Sequence, residues 1–221
     1  PNFAPIQTAV GVLCMPGMTA FFGLLHVGKP IPGDTVVISA ASGAVGQLVG
    51  QIAKIAGCYV VGIAGGKEKC NFLLNTLNFD AAIDYKNENV DDMLDKYCPK
   101  WVNVYFDNVG GNITDSVINK LANYARVAVC GVISQYNLTA PEPGLRTHRS
   151  MLTNQATTEG FLVFQFAQKY HIAIERIAKW IKEGKIVYKE DIVTGLENAP
   201  EAFIGLMNGK NFGKLLIKVS E

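Results

Sequence analysis

The stretch Ser39-Ala40-Ala41-Ser42-Gly43-Ala44-Val45-Gly46-Gln47 (SAASGAVGQ) consists almost entirely of small residues and lies between two apolar segments. The preceding apolar run, residues 35–38 (TVVI), leads into the turn, and residues 36–39 are predicted to form a buried strand. The following segment, residues 43–56, carries apolar residues at helical spacing, and Gly57 comes directly after it as a helix-ending glycine. The pattern predicts a strand, a tight turn and a helix in succession.

The alternation of apolar runs and helical patterns continues along the chain. Further strands are predicted at residues 59–63, 81–85, 102–106, 126–133 and 161–166. Residues 137–158 are polar and without period, so we expect a long loop there. Unbroken apolar strands between helices are typical of a parallel sheet that is covered on both faces. The sequence therefore predicts an α/β fold, a Rossmann-type doubly wound parallel sheet.

A small-residue turn between a strand and a helix is suited to hold a pyrophosphate. Backbone N–H groups can approach the phosphates there, and the positive end of the helix dipole faces them. Gly43 and Gly46 hold the second and third positions of a Gly-x-Gly-x-x-Gly motif, and Ala41 stands at the first. The residues predicted to surround the phosphates are Ser42, Gly43, Ala44, Val45 and Gly46. A turn that serves only packing is the alternative.

The end of the next strand indicates which nucleotide the turn would hold. An acidic residue at this place binds the ribose hydroxyls of NAD, whereas this chain has Gly65, followed by Lys67 and Lys69. Space and positive charge suit a 2′-phosphate, so we predict NADPH or NADP as the cofactor, with Lys69 as the leading cation. The alternative is a pair of solvated lysines, although the helix dipole disfavours lysine in a first turn. Tyr85 ends the third predicted strand and is a further candidate for this site.

Small or polar residues also follow the fourth and fifth predicted strands. Residues 107–111 (DNVGG) end the fourth strand, and residues 130–134 (CGVIS) end the fifth. Ligands of open α/β sheets bind at the carboxyl ends of the strands. We therefore expect Asn108, Cys130, Gly131 and Ile133 to line the cofactor site.

Composition excludes several other classes of protein. A formal charge of +1 over 221 residues gives no support for binding nucleic acid. Five cysteines without a C-x-x-C pair argue against a disulfide framework. No apolar run approaches the ~20 residues that span a bilayer, and the start does not resemble a signal peptide. We expect a cytoplasmic protein with no membrane partner, and the opening Pro1-Asn2-Phe3 suggests an excerpt from a longer one.

Several motifs resemble one family. Residues 32–38 (PGDTVVI) with the small-residue turn resemble the nucleotide-binding domain of the medium-chain dehydrogenase/reductase superfamily. Residues 15–20 (MPGMTA), 106–111 (FDNVGG), 131–137 (GVISQYN) and 209–214 (GKNFGK) resemble its prostaglandin reductase and curcumin reductase branch. The resemblance implies a zinc-independent, NADPH-dependent reductase of the carbon–carbon double bond in α,β-unsaturated ketones and aldehydes. It also implies a homodimer.

The resemblance further implies domain bounds and site residues. Residues 1–14 would lead from a missing N-terminal GroES-like domain, residues 15–195 would bind the dinucleotide, and residues 196–221 would return to the missing domain. Ala44 and Val45 would contact phosphates, and Lys69 and Tyr85 the 2′-phosphate. Nicotinamide or pyrophosphate contacts are implied for Asn108, Phe161, Val163 and Asn211. The loop at residues 140–146 departs from the branch, which leaves the substrate open.

Tyr136 is the candidate catalytic residue, and no metal site is expected. Reduction of an enone places negative charge on the carbonyl oxygen, and the Tyr136 hydroxyl would donate a hydrogen bond to it; a tyrosine that merely packs is the alternative. His26, His148 and His171 are scattered, and no cysteine cluster has structural-zinc spacing. A quinone reductase and a non-catalytic NADPH-binding module remain as alternative functions. The apolar run 161–166 is a candidate edge strand for pairing two copies.

Overall fold

The computed structural model describes residues 4–219, so the expectation for Pro1-Asn2-Phe3 lies outside the described residues. Six parallel strands form the central sheet: β1 Thr35–Ile38, β2 Tyr59–Ala64, β3 Ala81–Asp84, β4 Val102–Asp107, β5 Leu121–Val129 and β6 Thr157–Gly160. Their order is β3-β2-β1-β4-β5-β6. The chain reverses its direction of travel between β1 and β4, and the carboxyl ends of the strands form a crevice there. The predicted Rossmann-type sheet is confirmed.

Helices follow most of the strands. Their bounds are α1 Met15–Phe22, α2 Gly46–Ile55, α3 Lys67–Asn75, α4 Val90–Tyr97, α5 Gly111–Ile118, α6 His148–Thr153, α7 Tyr170–Lys182 and α8 Ala199–Met207. A π-helical turn, Gly23–Gly28, continues α1, and a second, two-stranded parallel sheet pairs β7 Glu190–Thr194 with β8 Lys214–Lys218. Within residues 4–219, no helix has the length and apolarity needed to span a membrane.

The central sheet has a hydrophobic core on each face. Successive strand residues point to opposite faces: in β1, Val36 and Ile38 pack with α2 and α7, whereas Val37 packs with α4 and α5. All four residues of β1 are buried. Both faces of the strand therefore need apolar side chains, which explains the unbroken apolar run in the sequence.

The predicted strand at residues 161–166 is wrong. The edge strand of the sheet is β6, and Val163–Lys169 forms a 3-10 helix instead. Phe161 and Phe166 of this segment pack inward, whereas Phe164 is exposed. The ring of Phe166 stacks on Phe22 at a centroid distance of 4.8 Å. The apolar run for which the sequence predicts a strand therefore packs against α1.

Three other predicted segments need correction. The sequence pattern of residues 114–124 predicts a helix, but the helix of the structure ends at Ile118, and β5 begins at Leu121. The following strand ends at Val129, because the N–H groups of Cys130 and Gly131 both turn back to the carbonyl oxygen of Asp107, at 2.8 and 3.1 Å. The predicted loop at residues 137–158 contains α6 and the start of β6.

Candidate functional site

The small-residue turn lies between β1 and α2, as predicted. The N–H group of Gly43 donates to the carbonyl oxygen of Ala40 at 2.9 Å, and the helix begins at Gly46. A Cβ atom added at Gly46 would lie 2.4 Å from the Ala40 oxygen and 2.7 Å from the Ala41 Cα atom. Only glycine therefore lets the helix approach the strand this closely. The N–H groups of Gln47 and Leu48 donate to the carbonyl oxygens of Gly43 and Val45, at 3.1 and 3.0 Å. An anion at this helix N-terminus would therefore bind N–H groups of the preceding residues, 44–46.

The left-handed residue of this turn is Ala40, with φ at 48°. The first motif position, Ala41, is fully buried and is not among the residues with positive φ. An alanine is therefore tolerated at the first motif position, because the unusual backbone conformation falls on the residue before it. Nothing in the sequence distinguishes Ala40, since alanine has no preference for this conformation.

The C-terminal segment joins the turn. The N–H group of Gly213 donates to the Ser42 carbonyl oxygen at 3.1 Å, and Gly213 bridges to Gly43. The side-chain amide of Asn211 donates to the Gly213 carbonyl oxygen at 2.9 Å. The structure thus brings Asn211 to the turn from about 170 residues away in the sequence.

The predicted 2′-phosphate residues lie at the ends of β2 and β3. A Cβ atom added at Gly65 would lie 2.9 Å from Tyr85 Cε1 and 2.9 Å from Lys86 Cε, so the glycine makes room for both side chains. The ammonium group of Lys69 donates to the Gly209 carbonyl oxygen at 2.7 Å. Burial, followed by the nearby charge of Lys86, lowers the pKa of Lys69. An anion beside these two lysines would relieve their repulsion.

A buried carboxylate organises the end of β4. Asp107, which is 1% exposed, accepts five hydrogen bonds. The donors are the hydroxyls of Ser39, Tyr105 and Thr114 and the backbone N–H groups of Val109 and Gly110. Burial raises the pKa of the Tyr105 hydroxyl well above its ordinary value, and the Asp107 charge adds to this effect. The network fixes the turn that follows the strand.

Asn108 is held by the end of β1. Its N–H group donates to Ser39 Oγ at 2.8 Å, and its side-chain amide donates to the Ser39 carbonyl oxygen at 2.7 Å. The ends of β1 and β4, which the sequence predicts to lie at the same edge of the sheet, are therefore joined by hydrogen bonds. Asn108 Oδ1 remains as an acceptor at this edge.

The end of β5 carries Cys130, Gly131, Ile133 and Tyr136. Tyr136 is 60% exposed, and its hydroxyl oxygen accepts a hydrogen bond from the Val132 N–H group at 3.3 Å. A Cβ atom added at Gly131 would lie 3.0 Å from the same hydroxyl oxygen. Burial, followed by the charge of Asp107, raises the pKa of Cys130 to about 12. The thiol is therefore no nucleophile near neutral pH.

Phe161 and Val163 follow β6 and are buried, at 7% and 6% exposure. The Phe161 ring meets Phe106 edge to face at a centroid distance of 6.1 Å. A Cβ atom added at Gly23 would lie 2.3 Å from the tip of the Phe161 ring. Both side chains belong to the core, so a cofactor contact at these positions would use the backbone.

The fold and these strand ends agree with known proteins. A family model described as zinc-binding dehydrogenase matches residues 44–179. This chain belongs to the zinc-binding dehydrogenase family. Within residues 4–219, no group of three His, Cys, Asp or Glu side chains lies together in a way that could hold a metal ion.

Relatives within this dehydrogenase family cover almost the whole chain. It is 48% identical to a 2-alkenal reductase (NADP(+)-dependent) of Nicotiana tabacum, over 98% of this chain and 63% of the relative. It is 44% identical to an NADPH-dependent curcumin reductase of Escherichia coli (strain K12), over 96% of this chain and 63% of the relative. The chain thus spans less than two thirds of the length of either relative. The predicted branch of the medium-chain dehydrogenase/reductase superfamily is confirmed.

A solved structure supports the same placement. CurA from Vibrio vulnificus, in complex with NADPH, superimposes with a TM-score of 0.94 and is 46% identical. The match covers 97% of this chain and 65% of that one. The fold described above is therefore shared with a protein that was solved in complex with NADPH.

Sequence reasoning missed the acidic residues that organise the site. Asp84 was assigned only to a strand, and Asp107 only to a polar turn. A signal existed for both, because each is an acidic residue at the carboxyl end of a buried strand. A carboxylate in this position has to find donors, and backbone N–H groups of the turns at this edge supply some of them here.

Proposed function

We propose that this chain is the cofactor-binding part of an NADPH-dependent reductase that acts on α,β-unsaturated ketones and aldehydes. The observation that carries the proposal is the arrangement of Gly65, Lys69 and Tyr85 at the ends of β2 and β3. A carboxylate that would bind an NAD ribose is replaced by Gly65, against which Tyr85 and Lys86 lie, and Lys69 follows in the first turn of α3. The relatives named above are NADP-dependent, which supports the same choice.

The residues of the turn fit a dinucleotide. A Cβ atom added at Gly43 would find the Ala40 oxygen at 3.1 Å and no other described atom within 4 Å. That open side is the space through which a pyrophosphate approaches the backbone. We therefore assign the phosphate contacts to residues 42–46, the 2′-phosphate contacts to Lys69 and Tyr85, and further contacts to Asn108, residues 130–133, Phe161, Val163 and Asn211.

When bound, NADPH supplies the hydride for the β-carbon of the substrate. The chain's own residues orient the reactants and stabilise the negative charge on the carbonyl oxygen. Tyr136 is suited to this second role, because its oxygen already accepts a bond from the Val132 N–H group. Its O–H group remains a donor that can turn towards the substrate oxygen.

The proposal extends to the whole protein. Residues 1–14 and 196–221 would join a GroES-like catalytic domain, which fits the exposure of Phe203 and Ile204 on α8, at 60% and 61%. Two copies would pair through β6, whose four residues are all exposed at the edge of the sheet. We propose a cytoplasmic homodimer that uses a small-molecule substrate and no nucleic-acid or membrane partner.

Cofactor choice is tested by titrating the 221-residue chain with NADPH and with NADH. We expect clearly tighter binding of NADPH, and Lys69→Ala should weaken it by about tenfold or more, since a charge-assisted hydrogen bond is lost. Lys100→Ala is the control, because Lys100 lies before the amino end of β4, whereas the proposed site lies at the carboxyl ends of the strands. Equal affinity of the wild type for both nucleotides would contradict the proposal.

Catalysis is tested with the longer protein that carries the proposed catalytic domain. NADPH oxidation is followed with a panel of enones, alkenals and quinones. Tyr136→Phe should lower kcat for enones by about a hundredfold to a thousandfold, as expected for removal of one oxyanion donor. An unchanged kcat would remove Tyr136 from the mechanism. Preference for quinones would favour the alternative reductase, and nucleotide binding without turnover would favour a binding module.

A further inference from the structure

The carboxylate of Asp84 connects two turns at the carboxyl edge of the sheet. Asp84 ends β3 and is 8% exposed. Its Oδ1 atom accepts hydrogen bonds from the N–H groups of Gly66, at 2.7 Å, and Lys86, at 3.1 Å. Its Oδ2 atom accepts from the Asn87 side-chain amide at 2.7 Å. One side chain thus joins the turn after β2 to the turn after β3.

These two turns carry the proposed 2′-phosphate residues. Gly65 lies in the first turn, and Tyr85 and Lys86 lie in the second, close enough that a methyl group on Gly65 would contact both. Gly66 has φ at 99°, a conformation that directs its N–H group to Asp84 and that other residues rarely adopt. The Asp84 contacts therefore fix the distance between the two turns.

Asp84 is ionised near neutral pH. Burial alone would raise its pKa, but the hydrogen bonds from Asn87, Gly66 and Lys86 outweigh burial, and the pKa is lowered. Both oxygens accept hydrogen bonds from these protein groups, two backbone N–H groups and one side-chain amide, so the carboxylate is engaged by the protein. This distinguishes it from an acid at the end of the second strand, which would bind the ribose hydroxyls and oppose a phosphate.

We propose that Asp84 is a positioning residue that holds Gly65, Tyr85 and Lys86 around the 2′-phosphate and thereby sets the preference for NADPH over NADH. Lys86 then acts as a second cation beside Lys69, whose pKa its charge already lowers. The inference rests on the proposed function, because it takes the anion at this site to be the 2′-phosphate of the cofactor. Asp84 acts through its neighbours and does not touch the nucleotide.

The test is Asp84→Asn in the 221-residue chain, with dissociation constants for NADPH and NADH measured by fluorescence titration. In asparagine the remaining oxygen can still accept from the Gly66 and Lys86 N–H groups, but these hydrogen bonds lose the assistance of the negative charge. The amide group that replaces the second oxygen cannot accept from the Asn87 side chain, so the link between the two turns is weakened. We expect NADPH to bind about tenfold more weakly and NADH to bind unchanged. A shift in the ratio of the two constants separates positioning of the phosphate site from a general loss of stability.

Asp80→Asn is the matched control. Asp80 precedes the same strand at its other end, where its carboxylate pairs with Lys54 and accepts a hydrogen bond from the Val60 N–H group at 2.7 Å. This variant should lower the unfolding temperature and leave the ratio of NADPH to NADH affinity unchanged. Asn87→Ala is a milder second variant, because it removes only the exposed donor to Asp84; it should lower the ratio by about threefold.

Each result has one meaning. Equal weakening of NADPH and NADH, or an unchanged ratio in both Asp84→Asn and Asn87→Ala, overturns the inference and leaves the proposed function in place. Tighter NADPH binding by Asp84→Asn also overturns it, since the carboxylate would then oppose the phosphate. If the wild type itself does not prefer NADPH, the proposed cofactor fails, and this result is visible before any variant is measured.

Discussion

The methyl group of Ala41 occupies the space that a side chain at position 62 would need. A Cβ atom added at Gly62 would lie 2.9 Å from the Ala41 Cβ atom. Ala41 lies in the turn after β1 and Gly62 lies on the neighbouring strand β2, and the Ala41 N–H group donates to the Ile63 carbonyl oxygen at 3.0 Å. A glycine on β2 thus compensates for an alanine at the first position of the dinucleotide motif.

The close contact between positions 41 and 62 predicts that substitutions at the two positions have non-additive effects on stability. Gly62→Ala should lower the free energy of unfolding by about 1–3 kcal/mol, the usual range for overpacking, since its methyl would also meet Leu73 and Phe79 at 2.7 and 2.9 Å. Adding Ala41→Gly should return part of this loss. Urea unfolding of both single variants and the double variant gives the coupling energy. Simple addition of the two single effects would contradict the compensation.

Strain at Ala40 gives a stabilising substitution. Its φ of 48° is a left-handed conformation, which costs a residue with a Cβ atom roughly 1–2 kcal/mol. Ala40→Gly should therefore raise the free energy of unfolding by about 1 kcal/mol, after the higher chain entropy of glycine is subtracted.

Ala53→Gly is the control for this substitution, because Ala53 is fully buried in α2. It should lower the free energy of unfolding by about 1 kcal/mol or more. Loss of stability in Ala40→Gly would show that the turn carries no such strain.

The central strands could be predicted from the sequence almost to the residue. Residues 36–39 and 59–63 were predicted as strands, and the structure has Thr35–Ile38 and Tyr59–Ala64. These strands are buried on both faces, so each residue has to be apolar and the run stands out. The position of the cofactor turn follows, because the turn is local to one strand and one helix.

The edge of the sheet could not be predicted in this way. Strand β6 consists of Thr157, Thr158, Glu159 and Gly160, all exposed, and carries no apolar signal. The neighbouring run 161–166 does carry one, but Phe161 and Phe166 find their partners in the core beside α1. Periodicity shows that a segment is buried and does not show against what.

The contacts that position the site are also outside the reach of local patterns. Asp84 bonds to Gly66, 18 residues earlier, and Ser39 bonds to Asp107, 68 residues later. The sequence shows acidic and polar residues at strand ends, which predicts the edge on which they meet. Which donor each carboxylate accepts from depends on the order of the strands in the sheet.

Two glutamines of α2 form paired hydrogen bonds with the chain before β7, which predicts that a single substitution there lowers the free energy of unfolding. Gln47 donates from Nε2 to the Lys189 carbonyl oxygen at 3.1 Å and accepts from the Lys189 N–H group at 2.8 Å. Gln51 forms the same pair of bonds with Val187. Gln47→Leu leaves the Lys189 N–H group without this acceptor, so we expect a loss of about 1–3 kcal/mol in the free energy of unfolding.

Urea unfolding measures this loss, with Gln168→Leu as the control at an exposed position of the 3-10 segment. The control should change stability by less than about 0.5 kcal/mol. If Gln47→Leu changes stability as little as the control does, the paired hydrogen bonds are not what holds residues 187–189 to α2.

Glu190 predicts a pH dependence of stability. Burial raises its pKa, although a hydrogen bond from Gln7 opposes this, and its Oε1 atom is buried without a hydrogen-bond partner within residues 4–219. The folded state therefore holds this proton more tightly than the unfolded chain, whose glutamate titrates near about 4.3. The tighter binding of the proton stabilises the folded state at pH values below the unfolded pKa. This stabilisation is lost as pH rises through the pKa of Glu190 in the folded state.

Glu190→Gln removes the charge and keeps the shape of the side chain. Relative to the wild type, we expect the variant to be more stable at pH 7 than at pH 5, because the wild type has to bury a carboxylate at the higher pH. Urea unfolding at both pH values measures this difference, and Glu175→Gln, at an exposed position of α7, is the control. A stability difference between variant and wild type that is the same at both pH values would mean that Glu190 titrates alike in the folded and unfolded chains.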